Sequence, residues 1–327
     1  MPLKNYLPNF KFGTAVNHKI LLDETSPLHT ILPREFDFLV PEWEMKFYSI
    51  RHSPQDYDFA KADRLAEFAR THNLTLRGHC LCWHLSSASW LRKLTKLELE
   101  NVLRDYIFTT VDRYKDVCTA WDVVNEAIAD NGKIRKSIWS QIENFIPKCF
   151  QWAHEADRHA HLIYLDYRLH TPTRWKAIAQ MVKEMKENSI PIHGVGLQVH
   201  NEVFRTLGIA KWRLPNLIRQ LQSLGVAVHI SEVSIPIYPP AQNLPLQAKY
   251  ALQGKAYAKV LDVALTSGCK SFNLWGLSDC HAFYKPPEGD RNSTPCTFDR
   301  ELQPKPAYFA LETVLKRYCY STVQLVQ

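Results

Sequence analysis

Eight times along this chain a short apolar or β-branched run is followed by a stretch whose apolar residues recur at three- and four-residue spacing. The short runs are Phe10 to Ala15, Phe36 to Pro41, Leu74 to Cys82, Thr119 to Glu126, His161 to Tyr167, Gly194 to His200, Ala227 to Val233 and Lys270 to Leu277. A parallel strand can reach its neighbour only through a crossover, usually a helix, and eight such units close on themselves. No linker or change of composition interrupts them. The expected fold is therefore α/β, a single (β/α)8 TIM barrel forming one catalytic domain over residues 1–327. An open doubly wound sheet is the alternative. It is disfavoured because no strand runs into a Gly-x-Gly-x-x-Gly turn, which excludes only its nucleotide-binding forms.

The intervening segments read as amphipathic helices. Phe59, Ala62, Leu65, Ala66 and Ala69 form one stripe, and Leu99, Val102, Leu103, Tyr106, Ile107 and Tyr114 form another. Thr171-Pro172 opens a helix with proline at its first position, and Gly225 and Gly268 follow the last apolar positions of Leu217 to Leu224 and Val260 to Leu265.

The net charge of +7 is spread among acids, as in Lys183-Glu184-Met185-Lys186-Glu187, so no nucleic-acid partner is expected. No run of 18 apolar residues exists, and Met1 to Tyr6 leads into charged residues without an apolar export segment, so neither a membrane span nor a signal peptide is expected. A soluble monomer is the corresponding expectation. The eight cysteines, Cys80, Cys82, Cys118, Cys149, Cys269, Cys280, Cys296 and Cys319, are too sparse for a disulfide scaffold. Cys80, Cys82 and His84 share strand parity, which leaves a metal site conceivable, but no fourth ligand stands near them.

In a barrel of this kind the chemistry sits at the C-terminal ends of the strands. Trp121-Asp122-Val123-Val124-Asn125-Glu126 ends the fourth strand in Asn-Glu, and Val228-His229-Ile230-Ser231-Glu232 ends the seventh in Ser-Glu. Two carboxyls facing each other across the mouth suit acetal cleavage, in which one donates a proton and the other attacks or stabilises the oxocarbenium-like centre. Each glutamate could also cap or pair with a neighbouring base. On the third strand, alternation places His79, Leu81 and Trp83 on one face, and a flat indole beside an imidazole suits a sugar. Gln198, His200 and Trp275 end two further strands with amide, imidazole and indole groups. A metal-dependent hydrolase is discounted because His79 and His84, five apart on a strand, should point to opposite faces.

With these motifs the chain resembles glycoside hydrolase family 10, the retaining endo-β-1,4-xylanases, from Phe12-Gly13-Thr14-Ala15-Val16 to Lys305-Pro306-Ala307-Tyr308. Pro41 to Lys46, Gly78 to His84, Trp121 to Ala127, Gly194 to His200, Ile230-Ser231-Glu232 and Leu274 to Asp279 fall in the family's order and spacing. The resemblance implies Glu126 as general acid/base, Glu232 as nucleophile, and Asn125 as partner of the 2-hydroxyl of the sugar being cleaved. It further implies that His79, Trp83, Gln198, His200 and Trp275 line that subsite, that Glu42 and Lys46 bind the next sugar on the non-reducing side, and that Tyr167 lies toward the leaving group.

Several positions depart from the family: Trp43 and Leu165 and Arg168 where it usually has Asn, Ser86 where it has Gln, Ser234 where it has Asp, and Phe283 where it has Trp. Most concern sugar binding away from the cleavage point. The family Asp at the position of Ser234 belongs to a network with the histidine and the nucleophile. The resulting expectation is hydrolysis of internal xylan linkages with net retention, without metal or organic cofactor, on a polysaccharide or xylo-oligosaccharide substrate. The rivals are a retaining β-glycanase of altered specificity and a catalytically weak barrel that binds carbohydrate or acts as an inhibitor protein.

Overall fold

The computed structural model describes residues 1–238, 241–282 and 295–324. Its strands are β1 (Lys11–Val16), β2 (Phe38–Pro41), β3 (Thr75–Trp83), β4 (Cys118–Asn125), β5 (His161–Asp166), β6 (Gly194–His200), β7 (Ala227–Ser234) and β8 (Ser271–Leu274). Each pairs in parallel with the next, and β1 pairs with β8, so the sheet closes in chain order. Both faces of such a sheet are covered, which is why the strands read as nearly continuous apolar runs. The sixth strand has the bounds read from the sequence. The eighth stops at Leu274, three residues before the apolar run ends, and the chain turns at Gly276 with φ at +98°.

The covering helices are α1 (Leu28–Glu35), α2 (Phe47–Ile50), α3 (Ala60–Thr71), α4 (Lys96–Tyr114), α5 (Phe145–Ala156), α6 (Pro172–Glu187), α7 (Val203–Trp212), α8 (Leu214–Gln222), α9 (Leu246–Thr266) and α10 (Pro306–Gln324). A reciprocal capping box starts α4: the Thr95 hydroxyl accepts from the Glu98 amide and the Glu98 carboxylate accepts from the Thr95 amide. The buried stripe of α4 is Leu99, Leu103, Tyr106, Ile107, Val111 and Tyr114, with Val102 only partly covered at its edge. Pro172 occupies the first turn of α6, where its missing N–H is not needed. Beyond α8 and α9, Gly225 and Gly268 adopt φ of +76° and +72°, a conformation that costs glycine little.

The ladders slip where the site is built. On β3 and β4 the partners pass from His79 with Asp122 to Cys82 with Val124, and on β6 and β7 from Leu197 with Ile230 to Gln198 with Glu232. Bulges of this kind re-aim side chains. On β3 the slip breaks strict alternation: Leu81 is fully buried in the main hydrophobic core and does not join His79 and Trp83 on the cleft wall.

Candidate active site

A cavity of about 630 Å³ opens at the C-terminal ends of the strands, lined by residues of β3, β4, β6 and β7 and by the segments that follow β2 to β6 and β8. Glu126 stands one residue beyond β4, in the left-handed region at φ +58°. Its amide donates to the Leu165 carbonyl at 2.9 Å and its carbonyl accepts from Arg135 Nε at 2.9 Å, so the backbone is held from both sides. Its Oε2 accepts from Trp83 Nε1 at 2.9 Å. Across the mouth, Glu232 lies within β7, 4% exposed, with Oε2 at 2.8 Å from His200 Nε2. The other oxygen, Oε1, is buried with no hydrogen-bond partner among the described residues. One carboxyl is thus held by an indole and the other by an imidazole, with an oxygen of Glu232 left uncommitted.

The other implied residues gather round this pair, with one exception. Asn125 accepts at its side-chain oxygen from Gln198 Nε2 at 2.9 Å, which turns the Asn125 amide donors elsewhere. Trp275 packs edge-on against His79 and His200 at centroid distances of 5.0 and 6.2 Å. Lys46 is 2% exposed, its ammonium 4.3 Å from the Trp43 ring and 4.4 Å from that of Trp83. Tyr167 accepts from Arg135 Nη2 at 3.2 Å, with the Arg174 guanidinium 4.4 Å from its ring. Glu42 is the exception: it is buried, accepts from Asn17 Nδ2 at 3.2 Å, and is not on the cavity wall.

Titration follows from these neighbours. His79 is fully enclosed; burial disfavours its charge, but the adjoining Cys80 and the hydrogen bond with Asp122 at 2.9 Å carry it up to about 9. Burial, then the cations Arg135 and Arg174, takes His84 down to about 4. Burial lifts Asp166, behind Tyr167, to about 6 despite its ion pair with Arg174.

His84 corrects the parity argument. β3 ends at Trp83, so His84 begins a turn and lines the same cavity as His79, 3.9 Å from Glu126 Oε2. Nor do Cys80, Cys82 and His84 form a set, because the free Cys82 thiol shares a hydrogen bond with the free Cys149 thiol on α5 while His84 faces the cavity. Among the described residues no three His, Cys, Asp or Glu side chains gather to hold a metal ion.

The glycosyl hydrolase family 10 model matches residues 3–314. The chain belongs to that family. It is 32% identical over 325 residues to a β-1,4-xylanase of Dictyoglomus thermophilum, covering 94% of this chain and 88% of the relative. The native xylanase 10B of Thermotoga maritima superposes with a TM-score of 0.89 at 30% identity, covering 98% of this chain and all of that one. Xylanase 10B of Thermotoga petrophila, solved with xylobiose, gives 0.89 at 31% identity with 98% of each chain covered.

Against this family background several departures acquire a place. Ser86 is buried and accepts from the Tyr48 amide at 3.3 Å, so it supports the loop carrying Trp43 and Lys46. Ser234 lies opposite His200 on the neighbouring strand, its buried hydroxyl oxygen unpartnered among the described residues. Leu165 is fully buried on β5, and Phe283 lies outside the described residues. The family member also brings His84, Leu85, Arg168, His170, Asn201 and Arg205 to the cavity wall, none of which the strand-end reading singled out as a site residue. Arg205 stands in the first turn of α7 and the others sit in the turns after β3, β5 and β6, where periodicity says nothing about direction.

Proposed function

We propose that this chain hydrolyses internal β-1,4 linkages of xylan with net retention, as one catalytic barrel. Glu232 attacks the anomeric carbon through its uncommitted Oε1, forming a glycosyl ester, while Glu126 protonates the departing oxygen and then takes a proton from the water that hydrolyses the ester. The observation that carries this reading is the pairing itself: Glu126 held by Trp83 and Glu232 held by His200, on opposite sides of one sugar-sized cavity. The Asn125 amide, oriented by Gln198, would donate to the 2-hydroxyl, and Lys46 would meet the next sugar outward. The named xylanases among its relatives supply the substrate class.

The test is release of reducing sugar from xylan, glucan and mannan, with Glu232→Ala as control. Release from xylan that disappears in the variant supports the reading. Release from glucan or mannan alone favours the β-glycanase of altered specificity, and binding of xylan without release favours the binding-protein alternative.

A further inference from the structure

Beneath the cavity, three strands are tied by one buried cation. Arg77 on β3 is 3% exposed; its Nε donates to Asp122 Oδ1 on β4 at 2.7 Å, and its Nη2 donates to Ser231 Oγ on β7 at 2.8 Å. In the closed order β3 and β7 stand four places apart, so the guanidinium spans the barrel from one side to the other. Room for this is built in: a Cβ on Gly196 would come within 2.3 Å of Ser231 Oγ. β7 is held a second time at the same residue, where the Ser231 carbonyl accepts from Asn273 Nδ2 at 2.8 Å.

The tie sits where the backbone ladder changes register. Register shifts fall between His79 and Cys82 on β3, Asp122 and Val124 on β4, and Ile230 and Val233 on β7. Beyond each slip the ladder resumes from neighbour to neighbour, and the Arg77 tie adds a direct link across the barrel between the strands that carry Glu126 and Glu232. Asp122 is four residues before Glu126, and Ser231 immediately precedes Glu232. Asp122 also holds His79 on the cavity wall through its other oxygen, at 2.9 Å. A planar guanidinium is the one side chain whose fixed fork can bind a carboxylate and a hydroxyl in two directions at once; an ammonium cannot reproduce that geometry.

We propose that Arg77 is a positioning residue for both carboxylates, a strut across the barrel that sets the separation of Glu126 and Glu232 through Asp122 and Ser231. This rests on the roles proposed above for those two glutamates. A retaining mechanism needs its carboxyls about 5–5.5 Å apart, and a small misplacement of either slows chemistry more than it weakens binding.

The test is a mutant cycle on xylan and xylotriose, with kcat and KM measured separately and melting followed in parallel. Ser231→Ala removes the arm to β7 and keeps the buried ion pair; Arg77→Lys keeps charge but loses the fork. The strut predicts that Ser231→Ala lowers kcat about tenfold with KM within about twofold. Arg77→Lys should lower kcat at least as far, and the double variant no further than Arg77→Lys alone, because both act through one contact. An unchanged kcat in Ser231→Ala, losses confined to KM or to melting temperature, or additive losses in the double variant would overturn the proposal. If Arg77→Lys does not fold, Ser231→Ala decides alone. A wild-type protein inactive on xylan, glucan and mannan would instead remove the functional reading, and the strut with it; an active wild type with an unaffected Ser231→Ala removes only the strut.

Discussion

Trp83→Phe isolates what the indole N–H does for Glu126. The bond from Nε1 to Oε2 is 2.9 Å long, and the indole ring also faces the Lys46 ammonium at 4.4 Å. Phenylalanine keeps an aromatic ring there but removes the donor along with part of the indole's area; the backbone stays anchored, because the Trp83 carbonyl accepts from Trp139 Nε1 at 3.1 Å. In the proposed first step Glu126 would pass from neutral acid toward carboxylate. A hydrogen bond to a neutral acceptor contributes about 1 kcal/mol, and one to a charged acceptor about 1.5–3 kcal/mol. The indole thus stabilises the transition state over the ground state by roughly 1–1.5 kcal/mol, close to tenfold in rate. The assay compares kcat/KM on xylotriose, whose leaving sugar needs a proton, with a dinitrophenyl β-xylobioside, whose leaving group does not. The variant should lose about tenfold on the first and little on the second. Equal losses on both would refute the argument and make Trp83 a sugar platform or a packing partner of Lys46.

Other outcomes follow from the same site. Glu126→Ala should retain activity on the activated aryl glycoside and, with azide, yield a β-glycosyl azide; the same response from Glu232→Ala would reverse the roles. Trp43→Asn frees Lys46 from one of its two rings and supplies an amide, so kcat/KM should rise on xylotriose and stay nearly constant on an aryl β-xyloside; a fall on xylotriose would show that Trp43 is a productive platform. Melting temperature should peak near pH 6.5. His84 and His161 are both depressed from 6.5 to about 4, chiefly by burial, so their stabilisation is present above 6.5 and lost as pH falls toward 4. His79, raised to about 9 by Cys80 and Asp122 against its burial, contributes stability that is full below 6.5 and is lost as pH rises toward 9. A melting temperature rising steadily to pH 9 would contradict this.

The barrel was legible because a two-sided parallel sheet writes its strands as apolar runs, and the site because its main groups close those runs. Where the chain leaves regular geometry, legibility ends. The slip on β3 sends Leu81 into the core and the strand end turns His84 inward, both against alternation. Glu42 fits the motif, yet it is buried beside Asn17 and does not line this cavity. Arg77 and Asp122 did leave a signal, charged residues inside apolar runs, and buried charges of that kind are almost always paired. Their partner Ser231 could not be found from spacing, since it lies on the far side of the barrel.

The proposed mechanism turns on a covalent ester at Glu232. Incubating the protein with a dinitrophenyl 2-deoxy-2-fluoro-β-xylobioside, whose fluorine slows both formation and hydrolysis of the ester while its activated leaving group restores formation, and then mapping peptides by mass spectrometry tests it directly. One added fluoroxylobiosyl unit is expected, located on the peptide containing Glu232 and absent from Glu232→Ala. An adduct on any other residue, or none while the protein still cleaves xylan, would contradict it.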